Sequence, residues 1–304
     1  MTRNQILHNL KGVIAPVTTP FDRRGALDEK RFRENLERYT GIGLGGILIT
    51  GSTGEAPYLS ERERLRLVEI AREAVRPPEL LIVGTGLEST PETLRLSREA
   101  IARGADALLV VTPNYYKARM DHSALAAHYR AVADGVRRPL LIYSIPQFTG
   151  IEIGVETIAA LARHPNIVGL KDSLGSLALV RRVLRRVGPG FRVLVGAASI
   201  FLDSLRSGAV GGVLAQADFA PELCVGVYEA FRQGRIAAAR HLQDQLAPLQ
   251  QQIGVPYGVA GIKAALDASG YYGGPPRPPL LPLKPGQRRA VAAVVRQAHA
   301  GVSF

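Results

Sequence analysis

Lysine is seldom found inside an apolar strand, because burying an ammonium is costly unless it has a task there. Lys171 is such a residue, closing the apolar run at 167–171 within NIVGLKDS. Side-chain alternation puts it on one face with Gly169, while Val168 and Leu170 share the other. The small Gly169 leaves space beside it. An amine attacks a ketone only when unprotonated, and burial disfavours the ammonium form. The chemistry this suggests is Schiff-base formation with a ketone. A lysine at a strand mouth that merely reaches solvent would have the same spacing. Tyr143 ends another apolar run, LLIYS, where its phenol could relay protons or could be a core tyrosine with a satisfied hydroxyl. Gly51 and Gly54 enclose Ser52 and Thr53, so a tight turn would expose backbone N–H groups beside two hydroxyls. Such a loop can cradle a carboxylate without a cation, although a plain glycine turn reads the same way. Glu55 follows, as a general base or, better, in a structural role at a helix start. Tyr115 and Tyr116 stand together in a loop, which suggests packing or an interface.

Something must bring these residues together. Eight short apolar runs recur, at 13–18, 46–50, 80–84, 107–112, 140–144, 167–171, 192–196 and 212–215. Each is apolar on both faces, the pattern of a strand covered on both sides. Helical stretches lie between them. Ser60 and Glu63 form a capping box, Thr90 before Pro91 and Glu92 reads as a cap, Ser176 can cap LALVRRVLRRV, and Gly104 and Gly208 are stops. Strands alternating with helices give parallel α/β architecture. The count favours a closed (β/α)8 TIM barrel, which takes about 250 residues, over an open doubly wound sheet. No GxGxxG follows the first strand to support a dinucleotide fold. The strand signal ends near Pro221. The expected division is a barrel over 1–220 and a C-terminal helical extension over 221–304 packed on it, with a Pro/Gly-rich loop at 271–285. In a barrel of this kind chemistry sits at the C-terminal strand ends, where Lys171, Tyr143 and the 51–54 loop would fall.

Composition narrows the classes. Of 304 residues, 46% are hydrophobic and 21% charged, as in a folded domain. The net charge of +12 raises the question of a nucleic-acid partner. The arginines, however, alternate with Leu and Val at helical spacing and are partly offset by Glu, and no basic block is interleaved with aromatics, so an Arg-rich solvated surface is expected. The single cysteine, Cys224, lies in an apolar stretch and reads as a buried, inert thiol. No histidines have metal-ligand spacing, and no GxSxG or Cys/His arrangement supports a hydrolase; neither metal nor cofactor is expected. The first residues lack the apolar core of a signal peptide, and no run of about 18 apolar residues appears. A cytoplasmic protein with no membrane partner is expected.

In combination and order, these motifs resemble the dihydrodipicolinate synthase and N-acetylneuraminate lyase superfamily. The matching pieces are GVIAPVTTPF at 12–21, GSTGE at 51–55, VTPNYY at 111–116, YSIPQFTG at 143–150 and GLKDS at 169–173. The resemblance implies that Lys171 is the Schiff-base lysine, that Tyr143 moves protons during imine formation and carbon–carbon cleavage, and that Ser52 and Thr53 hold the substrate carboxylate. It implies that Tyr115 reaches a neighbouring subunit's site within a homotetramer built as a dimer of dimers. Synthases of the family carry an arginine just before the TG of the strand-5 loop; here that position is Phe148, and a phenyl ring cannot make a bidentate contact with a carboxylate. GSTGEAPYLS, HPNIVGLKDS and YYGGPPRPPL are most similar to 4-hydroxy-2-oxoglutarate aldolases, although Thr53 and Phe148 replace asparagines of that pattern. There Ser173 resembles a serine that positions the substrate's hydroxyl or second carboxylate. The expected activity is therefore class I cleavage of 4-hydroxy-2-oxoglutarate to pyruvate and glyoxylate. The alternatives are condensation of pyruvate with aspartate semialdehyde, cleavage of a deoxy-sugar 2-oxo acid, or a catalytically silent barrel that binds a metabolite or partner.

Overall fold

Eight parallel strands close into a barrel in sequence order, with β1 paired to both β2 and β8. They are β1 (Gly12–Ala15), β2 (Gly46–Ile49), β3 (Leu80–Gly84), β4 (Ala107–Val111), β5 (Leu140–Ser144), β6 (Ile167–Asp172), β7 (Arg192–Val195) and β8 (Gly211–Val213). The computed structural model describes residues 1–300; residues 301–304, the last of the segment expected to be helical, lie outside the described residues. The apolar runs read from the sequence coincide with these strands because each strand is buried on both faces. Ile14, Leu48, Ile82, Leu109, Leu141 and Leu194 fill the barrel, together with Ile6 and Leu10 from the segment that precedes β1. Ile47, Leu81, Leu108, Ile142, Leu170 and Val193 face the surrounding helices.

One strand departs from simple alternation. On the β5–β6 ladder Leu140 pairs with Ile167 but Leu141 pairs with Gly169, so Val168 is an extra residue in a bulge. Val168 packs with the interior cluster, while Leu170 packs outside. The two do not share a face as strict alternation requires. Beyond the bulge the register is regular, and it delivers Lys171 to the barrel interior.

The helices follow their local signals. Helix α1 (Arg3–Asn9) is capped by Thr2, and α2 (Glu29–Tyr39) by Asp28. Helix α3 (Glu61–Ala74) starts on the Ser60–Glu63 capping box. Helix α4 (Thr90–Ala102) is capped by Ser89 rather than Thr90, whose hydroxyl instead meets His128 Nδ1 at 2.9 Å. Helix α5 spans His122–Gly135, α6 is the short turn Pro146–Thr149, and α7 spans Val155–Leu161. Ser176 caps α8 (Leu177–Arg186), and α9 spans Phe201–Arg206. Gly104 and Gly208 end their helices at φ 104° and 109°, where a side chain would be strained. Helix α10 (Pro221–Arg232) packs on β1 and α9 in the place of the eighth barrel helix. Helices α11 (Ile236–Leu249), α12 (Val255–Ala268) and α13 (Pro285–Ala300) follow.

Arginines of α3 and of the C-terminal end of α4 meet glutamates of neighbouring helices: Arg66 pairs with Glu29 at 2.7 Å, and Arg103, just after α4, with Glu69 at 3.2 Å. Exposed pairs of this kind add at most about 1 kcal/mol each, so they account for the spacing of the arginines more than for stability. Cys224 is fully buried, and burial holds its thiol well above the usual value. Among the described residues no helix is long and apolar enough to cross a membrane, and no group of three or more His, Cys, Asp or Glu could hold a metal ion.

Candidate active site

Lys171 and Tyr143 are register partners on β6 and β5, at the C-terminal ends of both strands. The lysine Nζ lies 4.3 Å from the centroid of the tyrosine ring, and each residue is only 4% exposed. The Tyr143 hydroxyl lies 3.3 Å from Ser52 Oγ on the loop after β2. Lysine, phenol and serine thus form one chain of contacts.

Space beside the lysine comes from the absent side chain of Gly196. A Cβ on Gly196 would stand 2.0 Å from Ser173 Oγ and 3.3 Å from Lys171 Cε. A Cβ on Gly169 would stand 2.3 Å from the Arg192 carbonyl and 2.9 Å from Leu141 Cδ2, so this glycine is fixed by the close approach of β7 rather than by the lysine. Ser173 is half-buried, and its N–H donates to the Ser144 carbonyl at 2.9 Å.

The loop after β2 is held by bonds at both ends. Thr50 and Glu55 have φ of 52° and 56°, a left-handed conformation that costs a non-glycine residue about 1–2 kcal/mol. Thr50 Oγ1 donates to the Gly84 carbonyl at 2.8 Å, and Thr19 Oγ1 donates to the Gly54 carbonyl at 2.7 Å. Gly84 must be glycine, since a Cβ there would lie 2.2 Å from the Thr50 carbonyl.

Above these residues lies a cavity of about 770 Å3, whose wall includes Ser52, Tyr143, Thr112 and Phe148. Phe148, 67% exposed, stands at the mouth on α6. Arg64 also lines it, but its guanidinium is occupied by the carbonyls of Ala56 and Leu59. Lys171, Thr53 and Ser173 are not part of the wall. Thr53 is half-buried beside Ser52 in the loop. Tyr115 is not brought to this chain's own site: it is 76% exposed and packs edge-on against Tyr116, with ring centroids 5.0 Å apart.

Several participants were not read from the sequence. Glu88 lines the cavity and accepts the N–H groups of Asn114 and Tyr115, both at 2.9 Å, fixing the loop after β4. Tyr257, Gly258, Val259 and Ala260 of α12, with Leu280 and Leu281, form one side of the cavity. The apolar pattern of α12 announces burial but not the surface it covers. Two carboxyls lie close to the lysine. Asp172 points to the outer side of the barrel, where burial pushes it up to about 6 while Leu174's backbone and Ser144 pull back. Asp218, just after β8, is held well above the usual range by complete burial, against the opposing pull of Thr18's backbone and the Lys171 charge.

A strand-end lysine thus stands beside a strand-end tyrosine whose hydroxyl meets Ser52 of the glycine-rich loop. The family model described as the dihydrodipicolinate synthetase family matches residues 9–298. The chain belongs to this family. It is a lyase of the family's class I type. A 4-hydroxy-tetrahydrodipicolinate synthase from Rhizobium meliloti is 38% identical over 294 residues, covering 96% of this chain and 99% of the relative. Among solved structures, the 4-hydroxy-tetrahydrodipicolinate synthase of Methylacidiphilum fumariolicum SolV superimposes with a TM-score of 0.90 at 30% identity, covering 96% of each chain. YagE, a prophage protein of this family from E. coli K12 solved in complex with pyruvate, gives 0.90 at 29% identity, covering 95% of this chain and 98% of its own. Family membership therefore agrees with the sequence resemblance. The similarity to 4-hydroxy-2-oxoglutarate aldolases in particular is not reflected in the names of these relatives.

Proposed function

We propose that the protein forms a Schiff base between Lys171 and a 2-oxo acid and breaks or makes the bond between C3 of pyruvate and an aldehyde carbon. The observation that carries this reading is the pairing of Lys171 with Tyr143 at the strand ends, with Ser52 in contact with the phenol. Ser52 and the N–H groups of its loop receive the 2-oxo acid carboxylate. The amine adds to the keto carbon, and Tyr143 passes protons so that the former keto oxygen leaves as water. The iminium then withdraws electrons from the C3–C4 bond. Loss of the C4 hydroxyl proton breaks that bond, releases an aldehyde and leaves an enamine. Protonation at C3 and hydrolysis return the lysine and free pyruvate. Positioned acid–base groups contribute roughly 10²–10⁴-fold to such steps.

The substrate proposed first is 4-hydroxy-2-oxoglutarate, which would give pyruvate and glyoxylate. Phe148 counts against the synthase reaction, since an apolar ring stands where the synthase pattern has an arginine, and Arg64 is already occupied; the distal carboxylate of 4-hydroxy-2-oxoglutarate lacks that guanidinium too and needs another partner. Ser173, close to Lys171 across Gly196, is the side chain proposed to position the C4 hydroxyl or the distal carboxylate. The second reading is condensation of the same enamine with aspartate semialdehyde, favoured by the names of the relatives. The test is a pyruvate-release screen over 4-hydroxy-2-oxoglutarate, deoxy-sugar 2-oxo acids and N-acetylneuraminate, run beside a condensation assay with aspartate semialdehyde. For Tyr115, the resemblance supports a proposal that it completes a neighbouring subunit's site in a homotetramer.

A further inference from the structure

Glu55 and Lys263 form an ion pair in which both side chains are 0% exposed, with Nζ 2.6 Å from Oε1. Neither residue has a part in the chemistry above. Removing two charges from water is costly and is tolerated only when further polar contacts complete the arrangement. Those contacts are present. Glu55 Oε2 accepts the Arg277 N–H at 2.8 Å, and Lys263 Nζ donates to the Pro275 carbonyl at 2.9 Å. The ammonium also lies 4.5 Å from the centre of the Phe21 ring. Burial lowers the lysine's proton affinity, and Glu55 opposes that shift.

The pair joins two walls of the cavity. Glu55 ends the loop that carries Ser52, and its N–H donates to the Ser52 carbonyl at 3.1 Å. Its backbone is held at φ 56°, ψ 34°, so the loop keeps its shape only if the Glu55 side chain is anchored. Lys263 lies on α12, a few residues beyond Tyr257–Ala260, and the segment bonded to the pair, Pro275 to Arg277, leads directly to Leu280 and Leu281. Arg277 makes a second tie, to Glu63 Oε1 at 2.6 Å, at the start of α3.

We propose that Glu55 and Lys263 are positioning residues that set the Ser52 loop for the 2-oxo acid carboxylate by anchoring it to the C-terminal wall, without touching the substrate. This rests on the reading that Lys171 forms the imine and the Ser52 loop holds the carboxylate. Loss of the pair should then weaken pyruvate binding while leaving imine chemistry at saturation nearly intact.

The experiment is borohydride trapping of pyruvate as a function of pyruvate concentration. It compares the unmodified chain with Glu55→Gln, Lys263→Met and the double variant, each checked for native circular dichroism. Glu55→Gln keeps an acceptor for the Arg277 N–H and removes the charge. It should raise the half-saturating pyruvate concentration by about tenfold, a change of about 1.4 kcal/mol, while the saturated trapping rate stays within about twofold. Lys263→Met leaves a buried carboxylate unpaired; if it does not fold, the neutral double variant is read in its place. An unchanged half-saturating concentration in the folded variants overturns the proposal. So does a fall confined to the saturated rate, or failure of all three variants to fold, which would make the pair purely structural. Absence of trapping in the unmodified chain is a different result, because it removes the Schiff-base reading itself and this inference with it.

Discussion

Lys171 and Tyr143 sit opposite each other on adjacent strands, and the lysine Nζ lies over the phenol ring, 4.3 Å from its centroid. Their side chains emerge on the same side of the barrel because the Val168 bulge ends before them and the ladder is regular from Gly169 onward. The distance from amine to phenol is therefore fixed by backbone hydrogen bonds rather than by a mobile loop.

The first prediction is that pyruvate with borohydride adds one covalent adduct per chain, at Lys171. Lys263 is a buried lysine too, but it is engaged by Glu55 and Pro275. Peptide mapping by mass spectrometry decides the matter. An adduct at Lys263 or at any lysine other than Lys171 would end the proposed mechanism. Lys171→Ala should abolish turnover, because no other described strand ends in a lysine at the barrel interior.

Tyr143→Phe should fold normally and lose on the order of 10²–10⁴-fold in rate. The substitution removes one oxygen and keeps the ring packed in the interior cluster with Leu141 and Leu109. The lost contact is the one to Ser52 Oγ. Near-normal kcat in a variant with unchanged thermal unfolding would assign Tyr143 to packing alone.

The sequence made these two residues legible because a polar group at the end of a doubly buried strand has few reasons to be there. The eight strands were legible for the same reason, since burial on both faces leaves continuous apolar runs. Val168 was not, because a bulge arises from mismatched lengths on two paired strands and leaves no local pattern. Neither was the Glu55–Lys263 pair. Glu55 read as a structural residue and Lys263 was not singled out, and only the closed fold brings them to 2.6 Å. The misplaced cap at Thr90 is a smaller instance: Ser89 and Thr90 are equally good cap formers locally, and His128 takes the threonine hydroxyl.

Asp172 gives a prediction in pH. Burial pushes its carboxyl up to about 6 from an unfolded value of 3.8, and the negative charge of Glu152 acts in the same direction. The folded state therefore holds a proton between those values that the unfolded chain releases. The stability associated with this group is fully present below the unfolded value and is lost as pH rises through about 6. Asp172→Asn cannot ionise and should escape that loss. The unfolding free energy of the variant relative to the unmodified chain should rise by about 2–3 kcal/mol between pH 4 and 7, measured by guanidinium titration. His128 is lowered to about 4, also by burial, and contributes an opposite slope in both proteins, so it cancels in the difference. A difference that stays flat with pH would show that Asp172 is not raised by burial.

The last prediction concerns the aldehyde. Phe148 stands at the mouth of the cavity, 67% exposed, and the one arginine in the cavity wall, Arg64, already serves two carbonyls. Aspartate semialdehyde, whose carboxylate the synthase pattern holds through an arginine at that position, finds no bidentate partner there, a cost of about 1–3 kcal/mol, or roughly 5- to 150-fold in kcat/KM, whereas the distal carboxylate of 4-hydroxy-2-oxoglutarate is the one proposed to be held by Ser173. Cleavage of a 4-hydroxy-2-oxo acid is therefore expected to exceed condensation with aspartate semialdehyde on the same preparation. Phe148→Arg should shift the ratio toward condensation by restoring a guanidinium at the position where the synthase pattern has one. The comparison needs kcat/KM for both reactions in both proteins. Faster condensation than cleavage in the unmodified chain would overturn the aldolase reading and support the synthase one, because the imine at Lys171 serves both reactions. A Phe148→Arg variant that leaves the ratio unchanged would move the source of selectivity elsewhere in the cavity, with Ser173 the next residue to substitute.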